Sequence, residues 1–462
     1  MRRRSASLYT GQNLNRLINL NTRAGRLGVF SLMYLSEGIP VGFSTVALAA
    51  FLRQQGTSLV DVGALVAAVY APWGFKWAWA PLVDLIRIRR LGPSRAWILF
   101  AQAMMILTMA VLLGFNLTEN VGLLTTLIIV HNVFAATQDV AIDALAVRVL
   151  PEDEVGTANG AMFASQFLGI GVGGSGALYI SGMLGFQSSF FFVLALMLLI
   201  FFFVTVPLKE PPDPEPTPEQ AGALQIGVWQ AFTERIGIFF RELRIGFFDS
   251  GIGPLAGVVF SILPPAATAL GLALLTTIQV DMQQSEATIA SIALASNVAG
   301  ALGSLFGGWI SDKTGRPRTC IAIFYAATSL PTLYLASRFL THATSPPESV
   351  AGLTLTVFAV CVTFYNLFYG MQQGVVTAVF MRITNPAVAA TQFTGYMALH
   401  NLALTYSSLW QGRAAESFGY STTLRIDAAL AFVALTVLPI VISQRKKSKP
   451  RLEPAAVGAK VD

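Results

Sequence analysis

Charged side chains are scarce in this sequence: Asp, Glu, Lys and Arg make up 12% of its 462 residues, whereas 54% are hydrophobic. Soluble domains carry about 25% charged residues, so an ordinary water-solvated globule is excluded. Cysteine is nearly absent too. Cys320 and Cys361 fall in or beside apolar segments, which excludes a disulfide framework and suits small packing groups. Three histidines are present, and no His-x-x-His, Cys-His or paired-acid metal motif occurs. No metal, no cofactor and no catalytic residue is therefore expected, and nothing in the pattern points to nucleic acid.

What fills the sequence is apolar runs of about eighteen residues or more, each long enough to cross a hydrocarbon core of about 30 Å as a helix. Bounded by polar or Pro/Gly clusters, they place spans near 27–52, 59–82, 96–115, 121–147, 156–185 and 187–207, then near 254–280, 286–310, 319–340, 349–382, 387–416 and 421–443. The expected fold is an all-α membrane protein of about twelve transmembrane helices in two six-helix halves, residues 27–207 and 252–443. Residues 1–26 carry six arginines and no acid, without the apolar core of a cleaved signal, and read as a basic cytosolic tail; residues 444–462 form a second. In this topology all but five of the 30 Lys and Arg fall on one side. The positive-inside rule then puts both termini in the cytosol of a bacterial inner membrane.

Between the halves, residues 208–251 read as a linker. Pro207 to Pro218 holds six prolines, which forbid a helix. Beyond them Trp229, Phe232, Ile236, Phe239, Leu243 and Phe247 recur at steps of three or four among charges, the pattern of a helix lying on the inner leaflet. At an offset of 234, Gln138, Arg148, Thr157 and Gly185 match Gln372, Arg382, Thr391 and Gly419, which reads as an internal duplication. Parallel repeats of this kind let a transporter alternate access around a central site. The run Gly169 to Gly176 has no strand before it and no Lys-Ser/Thr after it, so it predicts close helix crossing rather than a nucleotide loop.

Four ionisable residues sit deep in the expected spans: Glu37, Lys76, Asp139 and Asp143. Each costs a few kcal/mol there unless paired or hydrated. At about 1.5 Å per residue, Glu37, Lys76 and Asp139 lie at a common depth, roughly 12 to 15 Å from the cytosolic edge, so they are expected to meet. Asp139 and Asp143 are one turn apart on one helix face, and at least one of them is expected to hold a proton in some state. With Gln138, these residues are the candidates for proton coupling or substrate contact. The alternative is a salt-bridge network that only clamps spans one, two and four. The second half reads as lacking such charges: Asp139 aligns with Gln373 and Asp143 with Thr377. Tyr365, Asn366, Tyr369, Gln372 and Gln373 suit neutral hydroxyls and amides, or serve to hold helices together. His400 could relay protons, though a single histidine is as readily a packing hydrogen bonder.

After span eight comes Gly308-Trp-Ile-Ser-Asp312-Lys-Thr-Gly315-Arg316, and at an offset of 228 Asp84 follows span two, with Arg87, Arg89, Arg90 and Arg95 behind it. This Asp-x-x-Gly-Arg loop resembles the signature of the major facilitator superfamily. The resemblance implies a cytosolic gate of acids, basic groups and helix ends at Asp84, Arg148, Asp312, Gly315, Arg316 and Arg382. A narrower resemblance rests on Glu37-Gly38-Ile-Pro40, on Phe75-Lys76-Trp-Ala-Trp-Ala-Pro81-Leu-Val-Asp84, on Thr137-Gln138-Asp139-Val-Ala-Ile-Asp143-Ala144, on Leu150-Pro-Glu-Asp-Glu154 and on Ala390-Thr391-Gln392-Phe393. These look like the AmpG muropeptide permeases and the related acetyl-CoA transporters. The resemblance implies proton-driven import of anhydro-muropeptides, fragments of peptidoglycan, for cell-wall recycling by a monomer in the lipid bilayer. Leu145 stands where family members often have Trp, and the second half matches only at the Ala-Thr-Gln-Phe stretch. Rival readings are a proton-coupled transporter of another solute, such as acetyl-CoA, a siderophore or an exported drug, and a membrane-embedded transferase, for which no nucleophile, base or metal set is visible.

Overall fold

A computed structural model describes residues 19–86, 88, 90–115, 120–151, 154–211, 228–339, 355–385 and 388–441. Among them, ten helices are long and apolar enough to cross a membrane. The first half holds α1 (Arg23–Gln54), α2 (Leu59–Phe75) with a short continuation α3 (Ala80–Leu85), α4 (Pro93–Leu112), α5 (Val121–Val149), α6 (Thr157–Leu184) and α7 (Phe186–Thr205). Side-chain caps set three of these starts: Thr22, Ser58 and Asn120 accept from the backbone N–H groups of Gly25, Asp61 and Leu123.

The linker helix α8 (Val228–Arg244) follows, and the chain then bends by 110° into α9 (Ile252–Ile262), so α8 lies across the end of the bundle instead of threading it. Next come α10 (Ala273–Asp281), α11 (Glu286–Thr314), α12 (Pro317–Arg338), α13 (Leu355–Ile383) and α14 (Ala389–Val437). The last of these carries both final spans, broken at Gly419 with φ 77° and ψ 168°. Gly185, its partner in the 234-residue repeat, separates α6 from α7 with φ 88° and ψ 156°. The duplication thus extends to a backbone conformation that glycine adopts without the Cβ penalty.

Two expected spans are interrupted. Span two ends its regular helix at Phe75, tightens to a 3₁₀ turn over Lys76–Ala78 and resumes at Ala80. Pro81 explains this: in a continuous helix its ring would strike the carbonyl of Trp77, and it has no N–H to give. Span seven, expected to be continuous over 254–280, is split into α9 and α10 by an unwound stretch at 263–272. Pro264 and Pro265 stop α9, Leu263 is extended before them, and Ala266 has φ 66°.

Glycines set the helix crossings, as expected of the 169–176 run. A Cβ on Gly38, Gly42, Gly169 or Gly173 would come within 2.4 Å of a carbonyl oxygen on the facing helix, so α1 and α6 touch backbone to backbone. In the second half, Gly303, Gly307, Gly370 and Gly374 seat α11 on α13 in the same way. The halves meet where α2 crosses α14, with Gly63 against Ser408 and Gly412 against Leu59. Large apolar side chains such as Leu107, Phe202 and Phe306 are left facing outward, as lipid requires.

Candidate functional site

Spans one, two and four converge on the buried charges. The unwinding at Lys76 turns its ammonium toward α5, where it pairs with Asp139 and lies 3.9 Å from an oxygen of Asp143. The Trp73 ring sits 5.7 Å beneath the same nitrogen. Tyr34 of α1 donates to Asp143 Oδ1 at 2.9 Å, Gln138 Nε2 donates to Ser36 Oγ at 3.3 Å, and Trp79 Nε1 donates to Thr137 Oγ1 at 3.1 Å. The shared depth read from the sequence therefore corresponds to one physical cluster.

Exposure grades through it. The side chain of Asp143 is 48% exposed, Lys76 15% and Asp139 5%, whereas Glu37 is fully buried. Asp143, the most exposed of the four, is also the one nearest the end of α5 that carries Arg148, on the side of the bundle with the basic loops, here called the basic face. Glu37 differs from the other acids. Neither of its carboxylate oxygens has a hydrogen-bond partner among the described residues, and the charges acting on it are Asp139, Asp143 and Lys76. The next residue, Gly38, lies at the close crossing of α1 on α6.

In the second half, the Tyr365 and Tyr369 rings stack at 5.8 Å, Gln373 Nε2 donates to the Tyr369 hydroxyl at 3.1 Å, and Asn366 donates to its own helix at Val362. Tyr365 Oη, both polar atoms of the Gln372 amide and His400 Nε2 are buried without partners among the described residues. Tyr70 of α2 reaches this group from the other half, packing against Leu272 and Leu404. Its aromatic neighbours are 295 and 299 residues downstream, so no local pattern in the sequence could flag it.

The expectation of a second half without buried charge is corrected by Asp427, which is wholly buried. It accepts from Ala269 N and Gln411 Nε2, each at 2.8 Å, and from Thr268 Oγ1 at 3.4 Å. Unwinding span seven frees backbone donors that need an acceptor in the membrane, and Asp427 is that acceptor. The signals are an acid at the seventh residue of span twelve and, in span seven, the Pro264-Pro265 pair that splits it.

At the basic face, the side chains of Asp84 and Asp312, and residues Arg87 and Arg89, lie outside the described set. Arg148 pairs with Glu210 and donates to Ser94 Oγ at 2.7 Å. Glu210, absent from the sequence reading, also accepts from the N–H groups of Ser94 and Arg95 at the start of α4. Arg382, the repeat partner of Arg148, donates to Gly315 O at 3.1 Å, and Gly315 ends α11 in the left-handed conformation with φ 64°. Arg316 is exposed. Arg26 grips Glu154 with two bonds of 2.8 and 2.6 Å, which holds that carboxyl below its ordinary range. Gln392, from the Ala-Thr-Gln-Phe stretch, bonds Asn385 N, Gly246 O and Tyr396 Oη, tying the linker to span eleven.

The sequence model of the Major Facilitator Superfamily matches residues 30–278, more than half of the chain. The chain belongs to the Major Facilitator Superfamily. Within it, the chain is 24% identical to the anhydromuropeptide permease of Escherichia coli (strain K12) over 419 residues, 89% of this chain and 79% of that one. It is 23% identical over 418 residues to a putative AmpG 4 transporter of Rickettsia felis, covering 89% and 95%. Its fold matches the crystal structure of a D-xylose-proton symporter with a TM-score of 0.65 at 14% identity, covering 91% and 98%. This superfamily member is thus AmpG-like, a secondary membrane transporter of small molecules and not an enzyme.

Proposed function

We propose that this transporter imports anhydro-muropeptides from the periplasm across the bacterial inner membrane in symport with protons, its basic face and both termini lying in the cytosol. The observation that carries the proton coupling is the graded acid cluster: a half-exposed Asp143, a Lys76–Asp139 pair behind it and an unpartnered Glu37 at its end. A buried carboxylate without a donor is costly as an anion, so a proton on Glu37 is the state its surroundings accommodate. Lys76 balances Asp139, Asp143 passes protons to and from the basic face, and Glu37 carries the coupled proton. Once the halves part, Tyr70, Tyr365 and Tyr369, buried or half-buried here, offer ring faces to a sugar, and Gln372 and Gln373 offer amides to hydroxyls and peptide groups. The names of the relatives support the substrate, and Asp84, Arg148, Asp312, Gly315, Arg316 and Arg382 serve as the basic-face gate.

The test is counterflow in proteoliposomes loaded with anhydro-muropeptide, with acetyl-CoA as the competitor. Accumulation of labelled muropeptide is the expected outcome in counterflow, and net uptake into unloaded proteoliposomes is expected to require an inward proton gradient. Counterflow with acetyl-CoA alone would replace the substrate, and uptake indifferent to the gradient would remove the coupling.

A further inference from the structure

On the face opposite the basic loops, Arg53 stands in the last turn of α1 and Asp281 is the last residue of α10. Arg53 Nε and Nη2 donate to Asp281 Oδ1 and Oδ2, each at 2.7 Å, in a bidentate pair. The Tyr420 hydroxyl, just beyond the Gly419 break, donates to Asp281 Oδ2 at 2.7 Å, and Arg53 Nη1 donates to Thr57 O at 3.0 Å. Both charged side chains are largely enclosed, 14% and 12% exposed. Nearby, Glu416 of α14 accepts from Val60 N in the first turn of α2.

Arg53 and Asp281 are 228 residues apart, the same offset that relates Asp84 to Asp312. Each stands at the end of the first span of its half, so the pair ties the end of span one to the end of span seven across the two halves. Two like charges there would push the halves apart. An arginine facing an aspartate holds them together instead. At the basic face, by contrast, Arg26 and Arg382 bind partners within their own half.

We propose that Arg53, Asp281 and Tyr420 form a lock on this face, closed in the present conformation and broken each time the halves part to admit solute. The bidentate geometry suits a switch, because Arg and carboxylate separate together once spans one and seven move apart, and each can then be hydrated. The lock sets the ratio of closed to open forms on this face. It makes no assumption about which solute passes.

The test places spin labels at Gln55 and Ala287, both exposed on this face, in a Cys320→Ala, Cys361→Ala background, and measures their separation by pulsed dipolar spectroscopy in nanodiscs. Arg53→Glu and Asp281→Arg should each raise the long-distance population relative to the short one by roughly tenfold, the range of pairwise couplings between contacting groups. The double exchange Arg53→Glu/Asp281→Arg should return it toward the wild-type ratio. Tyr420→Phe, which deletes one hydrogen bond and keeps the ring, should give a smaller shift in the same direction and remains informative if a charge reversal fails to fold. Wild-type distance distributions in the folded single variants, or in Tyr420→Phe when the reversals do not fold, would overturn the lock. So would a double exchange no closer to wild type than either single.

Discussion

A membrane-buried charge is tolerable only with company, and Lys76 and Asp139 show how narrow that tolerance is. Removing one partner strands the other, at a cost of about 3 to 5 kcal/mol, whereas removing both leaves an apolar contact that is often neutral. Lys76→Met and Asp139→Leu should each lower the thermal midpoint in detergent, and the double variant should recover most of the loss. Strictly additive losses would mean the pair is not formed. The sequence alone singles out Asp139 and Asp143 by their i, i+4 spacing. Glu37 becomes distinct only when its neighbours are known, because having no partner is a tertiary property. Outside the membrane, Glu154 is held below its ordinary range by Arg26. An acid whose folded pKa is depressed contributes above its unfolded value, near 4.3, and loses that contribution as pH falls through the folded value. Between those two values wild type should lose stability with acid more steeply than Glu154→Gln, as followed by thermal unfolding against pH.

At the scale of elements, proline decides where spans are continuous and polar side chains decide whether a break survives. Apolar runs in the sequence mark nearly every span within a few residues, since bilayer thickness fixes their length. They do not mark the unwinding at Lys76 or at 263–272, because hydropathy averages over a window longer than either break. Pro81 and Pro264-Pro265 are the local signs, and Asp427 is the distant one. Asp427→Leu should leave Ala269 N–H unpaired in the membrane, a loss of about 1 to 3 kcal/mol, with faster amide exchange confined to residues 263–272. Asp427→Asn keeps an acceptor oxygen and should cost less. Equal exchange in wild type and Asp427→Leu would show that the break holds without its acid.

Across the whole molecule, the two halves share a fold and divide the chemistry. Gly185 and Gly419, and the glycine crossings of α1 on α6 and α11 on α13, keep the duplicated architecture. Among the described residues the Glu37, Lys76, Asp139 and Asp143 cluster lies in the first half, while Asp427 in the second accepts from Ala269 N of the unwound segment and from Gln411 of span eleven. Rocking two such halves moves solute without chemistry, and the proposed proton coupling requires in addition a carboxylate that changes protonation between the two states. If Glu37 is that carboxylate, Glu37→Gln fixes the neutral form permanently. Its transporter should still exchange internal for external solute, which moves no net proton, but should no longer accumulate solute when an inward proton gradient is imposed. Asp139→Asn should behave differently, impairing both modes because Lys76 loses its partner. Separate measurements of exchange and of gradient-driven uptake in the same proteoliposomes distinguish them. Wild-type accumulation by Glu37→Gln, or loss of exchange together with accumulation, would move the coupling role to Asp139 or Asp143.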